Sequence, residues 1–209
     1  GSSDGGNPIR AHLASGSSVW DVSYGGTTVL TSSLEDSWNH VALTFYSGSS
    51  QLESNFYLNG NLQEAKTNTS LASFEEVTGS LVAFVGALQT TPSGNIYTGG
   101  TGAGAAKLSA SIDEFRYWKA VKTHEEVGKN YFRHVEGGTN TDIANTELGV
   151  YFKFNEGVTS DTTTDSVVLD YSGRISNGSW VGYPGSAARN TGSAMVSASA
   201  AVFEKEARE

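Results

Sequence analysis

The residues of this chain with the means to do chemistry are oxygen donors: the adjacent pair Asp113 and Glu114, the adjacent pair Asn155 and Glu156, and Asp170. Side chains of these types hold hard cations such as calcium, which takes about six to eight oxygen ligands, or move protons in acid–base catalysis. The spacing argues against catalysis. A glycosidase sets two carboxyl groups about 5–5.5 Å apart to retain configuration and about 6.5–9.5 Å apart to invert it. Neighbours on an extended strand point to opposite faces, so Asp113 and Glu114 share a cleft only where a bulge intervenes. The structural alternative is a carboxylate that accepts backbone amides at a strand crossing, or one paired with Arg116.

Other chemistry has less support. His12, His40, His124 and His134 show no zinc-ligand or Ser-His-Asp spacing. With no cysteine, disulfides, thiolate metal sites and thiol catalysis are excluded together. The run Gly99 to Lys107 has glycines but lacks the Gly-Lys-Ser/Thr ending of a phosphate loop. Trp20, Trp38, Trp118 and Trp180, with Tyr24, Tyr46, Tyr97 and Tyr183, can stack on sugar rings, although sandwich aromatics mostly serve the core. Tyr97, isolated in a Gly-rich stretch, is the candidate ligand-binding residue. Asn68-Thr69-Ser70 and Asn177-Gly178-Ser179 match the glycosylation pattern, as chance allows in a chain rich in Asn and Ser.

The formal charge of −9 excludes a nucleic-acid footprint and disfavours acidic sugars and anionic membranes. A hydrophobic share of 37% in 209 residues supports a sizeable core. The 25 glycines suit an all-β chain that spends residues on turns. No apolar run reaches the roughly 18 residues of a membrane span, and no charged-then-apolar opening suggests a signal peptide.

These residues must be positioned by strands. Val41, Leu43 and Phe45 share one face at period two, as do Phe56 and Leu58, and Asn59-Gly60 supplies the positive dihedrals of a tight hairpin to Asn61–Lys66. Short strands are expected over Ile9–Leu13, Ser18–Tyr24, Thr27–Thr31 and Trp38–Tyr46, and a doubly buried one over Leu81–Leu88, with a loop over residues 89–106. Leu108–Trp118 reads as a long strand whose parity changes at Asp113-Glu114, where a bulge would return both apolar sets to the core. One short helix near residues 123–133 follows from the capping-box pair Thr123 and Glu126 and the stripe Val127, Tyr131, Val135. In Leu148–Phe154, Val150, Phe152 and Phe154 alternate to one side, and further strands flank the turn Asp170–Gly173. The expected organisation is a β-sandwich over residues 1–136, a polar linker over 137–147, a β segment over 148–185 that completes the same sandwich or opens a second module, and a tail over 186–209.

The runs Trp38-Asn39-His40-Val41-Ala42-Leu43-Thr44 and Phe56-Tyr57-Leu58-Asn59-Gly60 resemble the core of the laminin-G-like, concanavalin A-like lectin domains. Ser111–Tyr131 is similar to that family's closing strand and helix, and residues 148–157 with 168–183 to its opening elements, so closing elements precede opening ones. A softer resemblance links the chain to structural proteins of marine tailed phages. The resemblance implies an all-β, antiparallel two-sheet jelly-roll sandwich with one helix. It also implies a structural calcium on Asp113, Glu114, Asn155, Glu156 and Asp170, with calcium as the cofactor. The Glu-x-Asp-x-x-Glu run of lectin-like hydrolases is absent. The expected function is non-catalytic recognition of a glycan or attachment surface, within a larger extracellular or virion-surface protein. The partners would be glycans or neighbouring subunits, a homo-oligomer among them, with neither nucleic acid nor membrane insertion. The alternatives are a protein–protein assembly module of a virion shell or fibre, and a degenerate glycoside hydrolase.

Overall fold

A computed structural model of the chain describes residues 8–15, 18–26, 28–48, 50–70, 85, 108, 110–135, 147–156, 167–174 and 176–179. The chain divides into two compact units, one of Gly1–Leu108 with Val121–Arg133, the other of Ser109–Ala120 with His134–Glu209. Every described strand pairing is antiparallel.

In the first unit, β1 (Ile9–Ser15) and β2 (Ser18–Tyr24) form a hairpin, while β3 (Val41–Ser47), β4 (Leu52–Leu58) and β5 (Asn61–Asn68) form a three-stranded sheet. Alternation places Trp20, Val22 and Tyr24 on one face of β2, opposite Leu13, Ala11 and Ile9 of β1. On the other sheet Leu43 lies across from Phe56, and Val41 across from Leu58. The two apolar faces meet in one core of Trp20, Val22, Tyr24, Val29, Leu52 and Phe56, joined by Phe45 and Leu43. Trp20 meets Phe45 edge-on at 6.5 Å, and Tyr24 lies 5.5 Å from Phe56. Each such side chain stabilises the fold by about 1.5–3 kcal/mol through burial, which is why period-two patterning dictates a sandwich. Ser54, a buried polar residue of this core, is satisfied by a hydrogen bond with the Tyr24 hydroxyl.

Asn59 (φ 49°) and Gly60 (φ 79°) form the expected β4–β5 turn. A register shift after Phe56, which pairs with Glu64 while Tyr57 pairs with Leu62, leaves Gln63 as a bulge. Phe56 and Tyr57 are both buried although they face opposite ways. Tyr57 is covered from the other face by α1 (His124–Asn130), its ring stacked on His124 at 5.7 Å. Helix α1 starts with the expected capping box: the Glu126 amide donates to Thr123 Oγ1 at 3.2 Å and the Thr123 amide to Glu126 Oε2 at 2.8 Å.

Several expectations are corrected. The described part of Thr27–Thr31 is not a strand, because Gly25 (φ 100°) and Gly26 (φ 81°) turn the chain away from β2 and drop Val29 into the core ahead of a 3₁₀ turn at Thr31–Ser33. Strand β3 begins at Val41, which leaves Trp38 outside the sheet. Of the described residues in Leu108–Trp118 only β6 (Phe115–Trp118) is a strand, and the parity change arises from left-handed backbone at Glu114 (φ 54°) rather than a bulge inside a longer strand. The strand expected over Leu81–Leu88 lies outside the described residues except for Val85, which is exposed.

In the second unit β6 pairs with β7 (Leu148–Phe152), and β8 (Val167–Val168) with β9 (Gly178–Ser179). The later segment is therefore not self-contained, since β7 takes its partner from Phe115–Trp118, far earlier in the chain. Among the described residues its buried hydrophobic side chains are Leu148, Tyr151, Phe154 and Val168. Tyr151, on the side expected to be polar, is fully buried, whereas Val150 and Phe152 are only half-buried. Phe154 reaches its buried position through left-handed backbone (φ 52°) after the strand has ended.

Candidate functional site

Glu114 is the centre of a side-chain cluster on the β6–β7 ladder. The left-handed turn at Glu114 and the pairing of Arg116 with Tyr151 bring three polar groups together. Glu114 Oε2 accepts from the Arg116 guanidinium at 2.6 Å and from the Tyr151 hydroxyl at 2.5 Å, and its Oε1 lies 3.5 Å from His134 Nδ1. Burial, then the Glu114 carboxylate, pushes the Tyr151 phenol far above its ordinary pKa, so it stays a donor at any physiological pH. Asp113 stands beside this cluster as an exposed residue whose Oδ1 accepts from the Glu114 amide at 2.9 Å. Local desolvation of its carboxyl, then the Glu114 charge, raises its pKa even though the residue as a whole is exposed.

Asp170 occupies a different setting, the turn between β8 and β9. Its Oδ1 accepts from the amides of Tyr151 and Ser172, each at 2.9 Å, and its Oδ2 from the Ser172 hydroxyl at 2.8 Å and the Ser176 amide at 2.9 Å. Burial pulls this carboxyl upward, but the four donors outweigh it and hold the pKa below the ordinary value. The Asp-Tyr-Ser-Gly turn is thus built around one carboxylate that ties β7 to the β8–β9 hairpin. Asn177 contributes to the same turn, its Oδ1 accepting from the Asp170 amide at 2.9 Å.

Asn155 and Glu156 follow β7. Glu156 Oε1 accepts from the Leu169 amide at 2.9 Å. Asn155 Oδ1 is buried with no hydrogen-bond partner among the described residues. The five oxygen donors expected to share a cation therefore fall into three local settings. Among the described residues no three His, Cys, Asp or Glu side chains converge as metal ligands. Glu114 Oε2 and both Asp170 oxygens already accept from protein donors, while Glu114 Oε1 has His134 near it, at 3.5 Å.

A second candidate surface lies in the first unit around the Asn59-Gly60 turn. The His40 amide donates to Asn59 Oδ1 at 2.8 Å, the Asn59 amide to the His40 carbonyl at 2.8 Å, and Asn59 Nδ2 to Asn39 Oδ1 at 3.0 Å. Tyr131, at the end of α1, lies against Gly60, where a Cβ would stand 2.4 Å from Cδ1 of its ring. The rings of His40 and Tyr131 are 5.7 Å apart, and Phe132 meets Tyr131 edge-on at 5.2 Å. Trp38, next to Asn39 in the chain, and Phe132, next to Tyr131, are 62% and 67% exposed. The sequence offers Trp38 among the aromatics able to stack on sugar rings, with the core as the favoured alternative, and does not single out Phe132. Their signal was positional: Trp38 precedes the alternating run, and Phe132 falls one residue off the Val127-Tyr131 stripe.

The remaining sequence candidates separate. Tyr97 lies outside the described residues. His40, His124 and His134 have different neighbours, namely Tyr131, Tyr57 and Glu114. No helix among the described residues is long and apolar enough to cross a membrane. Residues 2–128, which hold β1 to β6 and most of α1, match the family profile of the concanavalin A-like lectin/glucanases superfamily, laminin G type. No match is found among curated proteins or among solved structures. With more than half its length covered by that profile, and with two apolar sheet faces sharing one core, the chain belongs to the concanavalin A-like lectin/glucanase superfamily.

Proposed function

We propose that the chain is a non-catalytic recognition module that binds carbohydrate and acts within a larger extracellular or virion-surface protein. The observation that carries this reading is the employment of its carboxylates. Glu114 is fixed by Arg116 and Tyr151, and Asp170 by four donors, so the acids a hydrolase would direct at a glycosidic bond serve as structural acceptors instead. In a member of a lectin superfamily, the structural employment of these two acids supports binding as the surface chemistry. The test is to apply the labelled chain to an array of neutral glycans and to incubate it with soluble β-glucans. Retention on the array without release of reducing ends is expected. Hydrolysis that disappears in Glu114→Gln would return the protein to the glucanases, and retention by no glycan would point to assembly with neighbouring subunits.

Calcium belongs to the same reading through Asn155, whose buried carboxamide oxygen has no donor among the described residues and which precedes Glu156 in the chain. On this proposal millimolar calcium raises the melting temperature of EDTA-stripped protein, and Asn155→Ala abolishes the rise. A melting temperature that calcium does not move removes the cation from the reading.

A further inference from the structure

Resting on the carbohydrate reading above, we infer that the binding surface is the aromatic rim around the Asn59-Gly60 turn, and that it takes a neutral pyranose. A pyranose ring is amphipathic, with an apolar C–H face and a girdle of hydroxyls, and its site needs both an aromatic plane and amide groups in fixed directions. The rim supplies both. Trp38 adjoins Asn39, whose carboxamide is bonded to Asn59, and Phe132 adjoins Tyr131, whose ring lies on Gly60, so each exposed aromatic is tied by a one-residue step to the same turn.

The polar groups are set before any ligand arrives. Asn59 is exposed, and its carboxamide is oriented by bonds at both ends: Oδ1 accepts from the His40 amide, and Nδ2 donates one N–H to Asn39. A carboxamide nitrogen carries a second N–H, which a sugar hydroxyl can accept. The Asn39 carboxamide is fixed in turn, Nδ2 donating to Ser37 Oγ at 3.0 Å. Such preorganisation lowers the entropy cost of binding.

Phe132 meets Tyr131 edge-on and lies 5.8 Å from the Arg133 guanidinium, yet it and Trp38 keep most of their surface open to solvent. Exposing Trp38 and Phe132 forgoes about 1.5–3 kcal/mol of burial for each, and the backbone around them is anchored by hydrogen bonds and the helix cap. The charge balance selects the ligand class, since a chain of net charge −9 repels uronic and sialic acids and leaves neutral sugars favoured. Tyr46, 54% exposed on β3, has no part in the network and provides the control.

The experiment measures retention of the full 209-residue chain on immobilised neutral oligosaccharides of glucose, galactose and mannose, for wild type, Trp38→Ala, Phe132→Ala and Tyr46→Ala. Both rim variants should bind roughly fivefold to tenfold more weakly, the range expected for losing one stacked aromatic contact, while Tyr46→Ala stays within about twofold of wild type. Melting temperatures of all three should match wild type, because the altered side chains are exposed. If wild type binds and the rim variants bind equally well, the location is wrong while the carbohydrate reading stands. Equal weakening in all three variants indicates general aromatic adhesion and overturns the site. Failure of wild type to bind any of these sugars overturns the carbohydrate reading and the inference with it.

Discussion

At the scale of single residues, this protein shows how one carboxylate is committed by its donors. Glu114 and Asp170 are each bound by protein groups that fix the direction of the carboxylate. Removing a donor tests this directly. Tyr151→Phe keeps the buried ring and loses only the hydroxyl that Glu114 accepts, so it should destabilise the chain by about 1–2 kcal/mol in urea unfolding. An unchanged midpoint would show that Arg116 alone satisfies the carboxylate. Asp113 behaves in the opposite sense to Asp170. Its folded pKa is raised, so its contribution is present while the unfolded group is protonated and is lost as pH climbs through the folded value.

At the scale of elements, turns and caps decide where side chains land. Gly60 must adopt φ 79° and also leave room for Tyr131, so Gly60→Ala combines backbone strain with a clash against an aromatic ring. It should lower the melting temperature by several degrees, whereas Asn61→Ala beside it, exposed at the start of β5, should not. Thr123→Ala removes the acceptor for the Glu126 amide and should cost about 1 kcal/mol, seen as a loss of stability in which the sheet itself is retained. The capping box, the Asn-Gly hairpin and the β3–β4 pairing were all legible in the sequence, because each depends on residues only a few positions apart or on strict alternation. The missing strand at Thr27–Thr31 was not legible. There two consecutive glycines outweighed a run of β-prone residues by turning the backbone out of the sheet.

At the scale of the whole molecule, stability should depend on acid. Asp170, Glu64 and Glu126 all titrate below their ordinary values in the folded chain. For Glu64, partial burial works upward, but Lys66, the Gly25 amide and Thr28 outweigh it. For Glu126 the leading cause is the Thr123 amide. The unfolded chain therefore takes up protons first as pH falls. The stability these groups contribute is complete above the unfolded carboxylate pKa, about 4, and drains away as pH drops through the lower folded values. The melting temperature should fall steeply between about pH 4 and pH 2, and less steeply in Asp170→Asn, while a flat profile would contradict the hydrogen bonds at the turn. The sequence by itself determined the fold class, the helix with its cap and the Asn59-Gly60 hairpin turn, since period-two alternation and turn chemistry act locally along the chain. Only the tertiary structure decided that β6 pairs with β7, that Asp170 and Glu114 spend their oxygens on separate sets of donors, and that Trp38 and Phe132 come to the surface beside one turn. Those outcomes turn on which distant amide or ring meets a side chain once the sheets have packed, and no spacing along the chain encodes that distance.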